Sequence, residues 1–212
     1  LKTPTRLPAT HTNTLIVGES VLYLIDPSPS DPIEQERLWR LLDGLVAEGR
    51  TIAGILLTHY HRDHVGALSE MQNRYKVPAF AHVDCMNELK EASFGEPLSH
   101  GDVLNLGTAP DGSSGWALTT YHVPGHARGH LAFQDTRYGA LLVGDLVSSL
   151  SSILIDPKDG HLSTYLNSLQ FLHTVAKNIL YPGHGPPVQD GARLIETTIE
   201  HRADREPDGD QG

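Results

Sequence analysis

Four side chains that can bind metal ions are packed into one short segment of the sequence. The segment HYHRDH spans positions 59–64 and follows an apolar run that ends at Leu57. Imidazole nitrogens and carboxylate oxygens are preferred ligands of zinc and of comparable iron and manganese ions. An irregular loop at the end of a strand can direct all four side chains to one point. The segment therefore predicts a metal site, with a histidine-rich surface loop as the simplest alternative.

Three further donors follow along the chain, each in a turn that comes after an apolar run. They are His126 in VPGH, Asp145 in VGD and His184 in YPGHG. The neighbouring Gly and Pro residues allow sharp turns and a close approach of the backbone to an ion. Because all the donors share this local setting, we predict one composite metal site. Its expected ligands are His59, His61, Asp63, His64, His126, Asp145 and His184.

At these residues the sequence resembles the metallo-β-lactamase superfamily, whose HxHxDH motif is matched literally at positions 59–64. The resemblance implies an α/β fold, a four-layer αββα sandwich with the metal site at one edge of the sheets. It also implies two metal ions, which we expect to be Zn²⁺, with iron or manganese as alternatives. The implied ligands are His59, His61 and His126 for the first ion, and Asp63, His64 and His184 for the second, with Asp145 bridging both.

The resemblance further implies a mechanism and two catalytic residues. In the superfamily a hydroxide bridges the two metals and acts as the nucleophile. Two cations about 3.5–4 Å apart lower the pKa of bound water toward 7 and stabilise the developing oxyanion. Asp145 and Asp63 are the implied catalytic residues, since Asp145 bridges the ions and the Asp63 carboxylate can take the proton released on attack. Antibiotic-cleaving lactamases usually have Cys or Ser at the position of Asp145, which argues against that activity.

Several stretches resemble one group within the superfamily, the endoribonuclease-related proteins named β-lactamase-like protein 2. The stretches are NTLIVG, LIDPS, PGHARGHLAF, NSL, ILYPGHGPPV and IETTIEHRADRE. Much of this pattern is shared with glyoxalase II. Members of the group commonly continue into a winged-helix tail, a pattern from which this sequence departs after Glu206. The resemblance to this group implies single-stranded RNA as a substrate, and the departure weakens that expectation.

The charge of the chain argues against a polyanionic substrate. Its 16 Lys and Arg residues face 26 Asp and Glu residues, for a formal net charge of −10, and no basic run is present. Such a balance repels nucleic acids over the general surface. We therefore expect a hydrolase of small acyl esters, thioesters or lactones, with RNA cleavage as the alternative. A mononuclear iron persulfide dioxygenase is a second alternative, and a metal-stabilised binding module without catalysis ranks below both.

The single cysteine and the lack of long apolar runs argue against disulfides, cysteine-based metal clusters and membrane spans. Cys85 cannot form an internal disulfide or a cysteine-based zinc cluster, and we expect it to be a small buried hydrophobic residue. No run approaches the roughly 18 apolar residues that a membrane span requires. We expect a cytoplasmic protein with a small-molecule substrate and no membrane partner, and the sequence leaves its oligomeric state open.

The predicted elements must bring the donors together. The 212 residues, 39% of them hydrophobic, suffice for one domain, expected at 1–204, followed by a disordered acidic tail at 205–212. Apolar runs predict strands, and apolar spacing of three and four residues predicts helices. The predicted strands are 14–17, 21–25, 52–57, 79–81, 103–106, 116–123, 130–134, 141–143 and 179–180. The predicted helices are 33–48, with inward residues Leu38, Leu41, Leu42, Leu45 and Val46, and 64–76, 84–91, 162–175 and 192–202.

Several polar residues near the motifs have competing interpretations. We expect structural hydrogen bonds from His122 and His130, which flank the turn of His126. Arg128 suits either an anionic substrate group or a surface salt bridge. Tyr60 and Arg62 alternate with the donors and are expected to point away from the metals and support the loop. The His-Arg pair at 201–202 is expected to be solvated. The histidines at 11, 82, 100, 161 and 173 have no companions at ligand spacing.

Overall fold

The computed structural model describes residues 1–203 of the chain. Residue 204 and the predicted acidic tail at 205–212 lie outside the described residues. Two β-sheets face each other, and a layer of helices covers the outer face of each. The predicted four-layer αββα sandwich is therefore confirmed.

The first sheet contains four strands in the order β1-β2-β3-β4. They are β1 (Leu15–Gly18), β2 (Val21–Ile25), β3 (Thr51–Leu56) and β4 (Ala79–Phe80). The predicted hairpin joins β1 and β2, whereas β3 and β4 run parallel to β2. Parallel neighbours require crossover connections. The helices α1 (Pro32–Ala47) and α2 (Leu68–Tyr75) provide them, and α3 (Val83–Glu88) follows β4.

The second sheet contains five strands in the order β5-β6-β7-β8-β9. They are β5 (Val103–Gly107), β6 (Trp116–His122), β7 (Leu131–Asp135), β8 (Leu141–Gly144) and β9 (Leu180–Pro182). The pairs from β5 to β8 are antiparallel, and β9 runs parallel to β8. The helix α4 (Leu162–Val175) connects β8 to β9, and α5 (Gly191–Ala203) follows β9.

Alternating side chains of the strands form three separate cores. At the end of the central strand of the first sheet, Ile55 and Leu57 pack toward α1 and α2, while Leu56 packs between the sheets. In β8, Val143 packs toward α4 and α5, while Leu142 packs between the sheets. Successive residues of a strand point to opposite faces. Both sheets are therefore buried on both sides, which explains the continuous apolar runs in the sequence.

The structure corrects the inward face predicted for the first helix. Leu38, Trp39 and Leu42 are buried, whereas Leu41 is 54% exposed and Val46 is 43% exposed. Successive residues of an α-helix are 100° apart around its axis. The three buried residues therefore define one face of the helix, and Leu41 lies outside that face. Trp39, which the apolar pattern did not place inward, packs in this core instead of Leu41.

The structure also corrects the start of the second predicted helix. The helix was expected to begin at His64, but α2 begins at Leu68. The preceding residues form turns, with the His64 N–H donating to the His61 carbonyl at 2.9 Å. The Ala67 N–H donates to the Pro27 carbonyl at 2.8 Å. These turns direct the donor side chains, which a regular helix would spread around its axis. The helix expected at 84–91 is likewise shorter and ends at Glu88.

None of the helices described between residues 1 and 203 combines the length and the apolar character that a transmembrane helix needs.

Neighbouring leucines on α1 provide a test of this packing. Leu42 is 1% exposed, whereas the adjacent Leu41 is 54% exposed. We expect Leu42→Ala to reduce the free energy of unfolding by about 2–5 kcal/mol, because it leaves a cavity in the core. Leu41→Ala should change it by less than about 0.5 kcal/mol. Urea unfolding of the two variants measures both values, and equal losses would contradict the orientation of α1.

Candidate metal centre

All seven predicted donors follow the ends of strands at one edge of the two sheets. Residues 59–64 follow β3, and His126 lies in the turn between β6 and β7. Asp145 follows β8 and His184 follows β9. Backbone at a strand end is free to turn, so side chains from four separate segments can converge.

The first group of donors contains three histidines. One ligand atom from each of His59, His61 and His126 lies within 4.8 Å of the others. The His61 Nδ1 atom is 3.0 Å from the His126 Nε2 atom. The His59 Nε2 atom is buried and has no hydrogen-bond partner among the described residues. The group can therefore offer three nitrogen donors to one cation.

The second group combines a carboxylate with two histidines. Ligand atoms of Asp63, His64 and His184 also lie within 4.8 Å of one another. The His184 Nε2 atom is 3.5 Å from an Asp63 carboxylate oxygen. Like its counterpart in the first group, the His64 Nε2 atom is buried without a hydrogen-bond partner in residues 1–203. This group can offer two nitrogens and an oxygen to a cation.

The Asp145 carboxylate lies between the two groups. Its Oδ1 atom is 3.3 Å from the His64 Nε2 atom, and its Oδ2 atom is 3.3 Å from the His184 Nε2 atom. The same Oδ2 atom is 3.7 Å from the His126 Nε2 atom of the first group. One carboxylate thus contacts both sets of donors, as a shared ligand would.

Each of the five histidines has one ring nitrogen held by a neighbouring oxygen atom. Two of these oxygens are backbone carbonyls, which only accept hydrogen bonds. The Nδ1–H groups of His126 and His184 therefore donate to the carbonyls of Leu154 and His11, at 2.9 and 3.0 Å. This fixes the tautomer and leaves an Nε2 lone pair on each ring. The other three oxygens belong to Thr58 beside His59, Asp26 beside His64 and Asp159 beside His61.

Burial and neighbouring charges set the ionisation of the centre. Burial lowers the pKa of His59 and His126, so both rings are neutral at pH 7. For His64, burial acts in the same direction, but the charges of Asp145 and Asp26 outweigh it and raise the pKa. Burial would raise the pKa of Asp145, but His64, His184 and His126 together hold it well below the usual value. Asp145 is therefore an ionised carboxylate.

The residues of the centre fit a divalent metal ion. Leaving a buried polar atom without a partner costs about 1–3 kcal/mol. Three such atoms, His59 Nε2, His64 Nε2 and Asp145 Oδ1, occur together in this one region. The last two lie 3.3 Å apart but are not in hydrogen-bond geometry. Bound cations would satisfy all three atoms, and nitrogen and oxygen donors suit zinc, iron or manganese.

Asp26 is a residue of the centre that the sequence reasoning missed. It is 2% exposed and accepts hydrogen bonds from the Thr58 N–H at 2.8 Å and the Thr58 hydroxyl at 2.6 Å. Its Oδ2 atom also lies 2.8 Å from the His64 Nδ1 atom. Since both oxygens are occupied, Asp26 positions the loop rather than offering a further metal ligand. A charged residue at the end of the apolar run VLYLI was the available signal.

A further histidine cluster lies outside the centre. His82, Asp84 and His122 come within ligand distance of one another, although His82 had no companion in the sequence. The two imidazole rings stack with centroids 4.0 Å apart and an interplanar angle of 4°. A metal ion must lie in the plane of each ring that binds it, and parallel stacked planes do not intersect. This arrangement therefore fits aromatic stacking rather than metal binding.

The remaining polar residues have structural contacts. His130 is fully buried, and its Nε2 atom accepts the Asp145 N–H at 3.2 Å. The His122 Nε2–H donates to the Arg128 carbonyl at 3.1 Å. The Arg128 side chain forms a salt bridge with Glu88 at 3.0 Å. Of the two interpretations of Arg128, the structure therefore agrees with the surface salt bridge. The expected hydrogen-bonding roles of His122 and His130 are thereby confirmed.

Comparisons with known proteins agree with this geometry. A family model described as the metallo-beta-lactamase superfamily matches residues 7–184. A "probable metallo-hydrolase" of Bacillus subtilis is 25% identical, over 98% of this chain and 77% of that protein. An atrochrysone carboxyl ACP thioesterase of Aspergillus fumigatus is 26% identical, over 92% of this chain but 42% of that protein. A beta-lactamase-like protein 2 homolog of Drosophila melanogaster is 27% identical, over 96% and 68% of the two chains.

Solved structures share the fold. A beta-lactamase domain protein from Burkholderia ambifaria superposes with a TM-score of 0.79 at 20% identity, over 97% of this chain and 74% of that chain. A second structure was solved in a di-iron-bound form. It superposes with a TM-score of 0.67 at 25% identity, over 91% of this chain and 96% of that chain.

The role of Asp26 can be tested without any metal. We expect Asp26→Asn to lower the free energy of unfolding by about 1.5–3 kcal/mol, because it replaces buried charge-assisted hydrogen bonds. The matched control is Asp31→Asn, an exposed cap of α1 whose Oδ1 atom accepts the Ile33 N–H at 2.8 Å. Asparagine caps helices as well as aspartate does, so little change is expected there. Urea unfolding in the presence of a chelator measures the free energy of unfolding of both variants. An unchanged value for Asp26→Asn would rule out the role of Asp26 in positioning the loop.

Proposed function

Because the chain belongs to the metallo-beta-lactamase superfamily, we propose that it is a dinuclear zinc hydrolase that cleaves small acyl esters, thioesters or lactones. The supporting observation is the pair of three-donor groups that share contacts with Asp145 and contain buried donor atoms without other partners. In this proposal His59, His61 and His126 bind one ion. Asp63, His64 and His184 would bind the other, and Asp145 would be the ligand shared by both.

When bound at this centre, two divalent ions would supply hydroxide at neutral pH and would stabilise negative charge as Lewis acids. The residues of the chain then orient the donors and accept protons. Asp63 faces the cleft, and its side chain is 18% exposed, against 10% for Asp145. The Asp63 carboxylate is therefore the better placed of the two to accept the proton released on attack. Asp145 remains ionised between the two groups.

The cleft beside the donors has the dimensions of a small-molecule site. Its volume is about 890 Å³, within the usual range for ligand pockets. One wall is the segment 4–9 and another is the loop 148–159. Leu7 and Leu154 line it and are 84% and 46% exposed, so apolar surface is available for an acyl group. A relative named as a thioesterase also supports an acyl substrate.

The lining of the cleft, as described within residues 1–203, does not combine the features that bind single-stranded RNA. Such proteins combine a basic groove with aromatic side chains on which bases stack. In residues 1–203, Arg6 and Arg202 are the basic side chains that line the cleft, and no Phe, Tyr or Trp lines it. The net charge of −10 acts against RNA as well. Both observations favour a small substrate over the RNA that the β-lactamase-like protein 2 resemblance implies.

The metal assignment predicts different losses from two variants. We expect two metal ions per chain in the loaded protein. Asp145→Ala should reduce occupancy of both sites, because the carboxylate is proposed to serve both ions, whereas His184→Ala should chiefly empty one. His173→Ala, an exposed histidine of α4, should leave both ions in place.

Elemental analysis of the dialysed proteins measures the stoichiometry. One ion per fully loaded chain, or equal losses in Asp145→Ala and His184→Ala, would contradict the bridged assignment. A single iron atom together with oxygen uptake would favour the persulfide dioxygenase alternative instead.

The substrate proposal predicts that activated small esters, thioesters or lactones are cleaved more efficiently than RNA. One metal-loaded preparation should be assayed with both kinds of substrate at low and at moderate salt, because phosphate contacts weaken steeply as salt rises. His59→Ala should abolish the activity in every assay. RNA cleavage that persists at moderate salt and requires His59, alongside negligible esterase activity, would establish the ribonuclease alternative.

A further inference from the structure

The Asp159 carboxylate lies outside the predicted HYHRDH segment and contacts two neighbouring residues of that segment, Tyr60 and His61. Asp159 lies in the loop between β8 and α4, and its side chain is 16% exposed. The Tyr60 hydroxyl donates to its Oδ1 atom. Its Oδ2 atom is 2.9 Å from the His61 Nε2 atom. Asp159 therefore connects the segment 59–64 to a part of the chain that is 98 residues away from His61.

His61 lies between this carboxylate and the other donors. Its Nε2 atom faces Asp159, and its Nδ1 atom lies 3.0 Å from the His126 Nε2 atom. The His126 Nδ1–H is already committed to the Leu154 carbonyl, so the His126 Nε2 atom carries a lone pair. A neutral imidazole with its proton on Nε2 has a free lone pair on Nδ1. That tautomer would aim the lone pairs of both rings at the same volume, where a cation could bind both, whereas a proton on His61 Nδ1 would donate to the His126 Nε2 atom 3.0 Å away.

The backbone beside Asp159 is held against the turn that carries His126. The His161 N–H donates to the Gly125 carbonyl at 2.9 Å. A Cβ atom on Gly160 would lie 2.5 Å from the Gly125 carbonyl oxygen, so only glycine permits this approach. The same contact that places the His126 turn thus places Asp159 next to His61.

We propose that Asp159 is a positioning residue of the metal centre, which selects the Nε2–H tautomer of His61 and fixes its ring so that Nδ1 binds the metal. The Nε2–H donates to the Asp159 carboxylate. The Tyr60 hydroxyl holds that carboxylate in place from the other side. The inference relies on the proposed function only in assigning His61 as a metal ligand. In the metal-free protein the competing tautomer of His61 is Nδ1–H, which would donate to the His126 Nε2 atom, so the balance between the two tautomers measures the effect of Asp159 directly.

The nearby cation is too exposed to account for this arrangement. The Arg128 Nε atom lies 3.8 Å from the Asp159 Oδ1 atom, and the Arg128 side chain is 63% exposed. An exposed ion pair at this distance contributes about 0–1 kcal/mol. The orientation of Asp159 therefore depends chiefly on Tyr60 and His61, the two residues within direct hydrogen-bond reach.

Three variants separate the hydrogen bond from the charge. Asp159→Leu removes the acceptor. Asp159→Asn removes the charge but keeps an acceptor oxygen. Asp156→Asn is the matched control, because it removes a charge from the same loop, where the Asp156 carboxylate accepts the Lys158 N–H at 3.0 Å and does not contact His61.

The first measurement is ¹⁵N NMR of the His61 imidazole in metal-free protein at mildly alkaline pH. We expect the Nε2–H tautomer in the native chain, in Asp156→Asn and in Asp159→Asn, and a loss of that preference in Asp159→Leu. An Nδ1–H tautomer in the native chain, or an unchanged tautomer in Asp159→Leu, would overturn the proposal whether or not the protein binds metal.

The second measurement is zinc affinity by competition with a chromophoric chelator, together with the visible spectrum of the cobalt-substituted protein. We expect Asp159→Leu to weaken zinc binding by about 10–100-fold and to alter the cobalt spectrum. Asp159→Asn should lose far less, and Asp156→Asn should match the native chain. Equal losses of zinc affinity in Asp156→Asn and Asp159→Leu would show a general effect of charge and would contradict the positioning role. A native chain that binds no zinc would refute the proposed function, and the NMR result would still decide the tautomer.

Discussion

The structure depends on keeping imidazole lone pairs free in a buried region. A buried nitrogen without a partner is unfavourable, so a cluster of such atoms persists only if the surrounding protein prevents them from turning toward other groups. Here each ring is held from its far side by an oxygen atom, supplied by backbone carbonyls for His126 and His184. The sandwich supplies those oxygens from segments that are distant in sequence, and the rings cannot reorient without breaking these bonds.

Segments outside the two sheets complete the centre. The carbonyl beside His184 belongs to His11, and the carbonyl beside His126 belongs to Leu154. Leu154 lies in one wall of the cleft, the loop 148–159, and His11 closely follows another wall, the segment 4–9. Movement of either wall would therefore disturb a donor as well as the substrate space. Metal binding and the shape of the cleft are coupled through these hydrogen bonds.

The sequence predicted the strands and the seven side chains that the structure brings together, because apolar runs and the polar residues at their ends are local features. The four-layer arrangement was implied by the family resemblance. Continuous apolar runs indicate strands buried on both faces, and polar residues at their ends stand out. Asp26 had a signal of this kind and could have been found. Asp159 had none, because its importance comes from a contact with His61 across 98 residues. The predicted start of α2 was wrong for a related reason. The local pattern of residues 64–67 favoured a helix, but their hydrogen bonds, including one to Pro27, hold them in turns.

The negative net charge of the chain is compatible with the proposed reaction, because the field of the surface charges and the field of the metal centre act over different distances. The net charge of −10 creates a field that repels long polyanions over the whole surface. In the proposed loaded state, two divalent cations would concentrate four positive charges next to the reacting atoms, so the local potential differs from that of the surface. Salt screens a surface field beyond about 8–10 Å, but a partly buried centre much less. A small substrate experiences mainly the metal centre, whereas an RNA strand must also lie along the acidic surface.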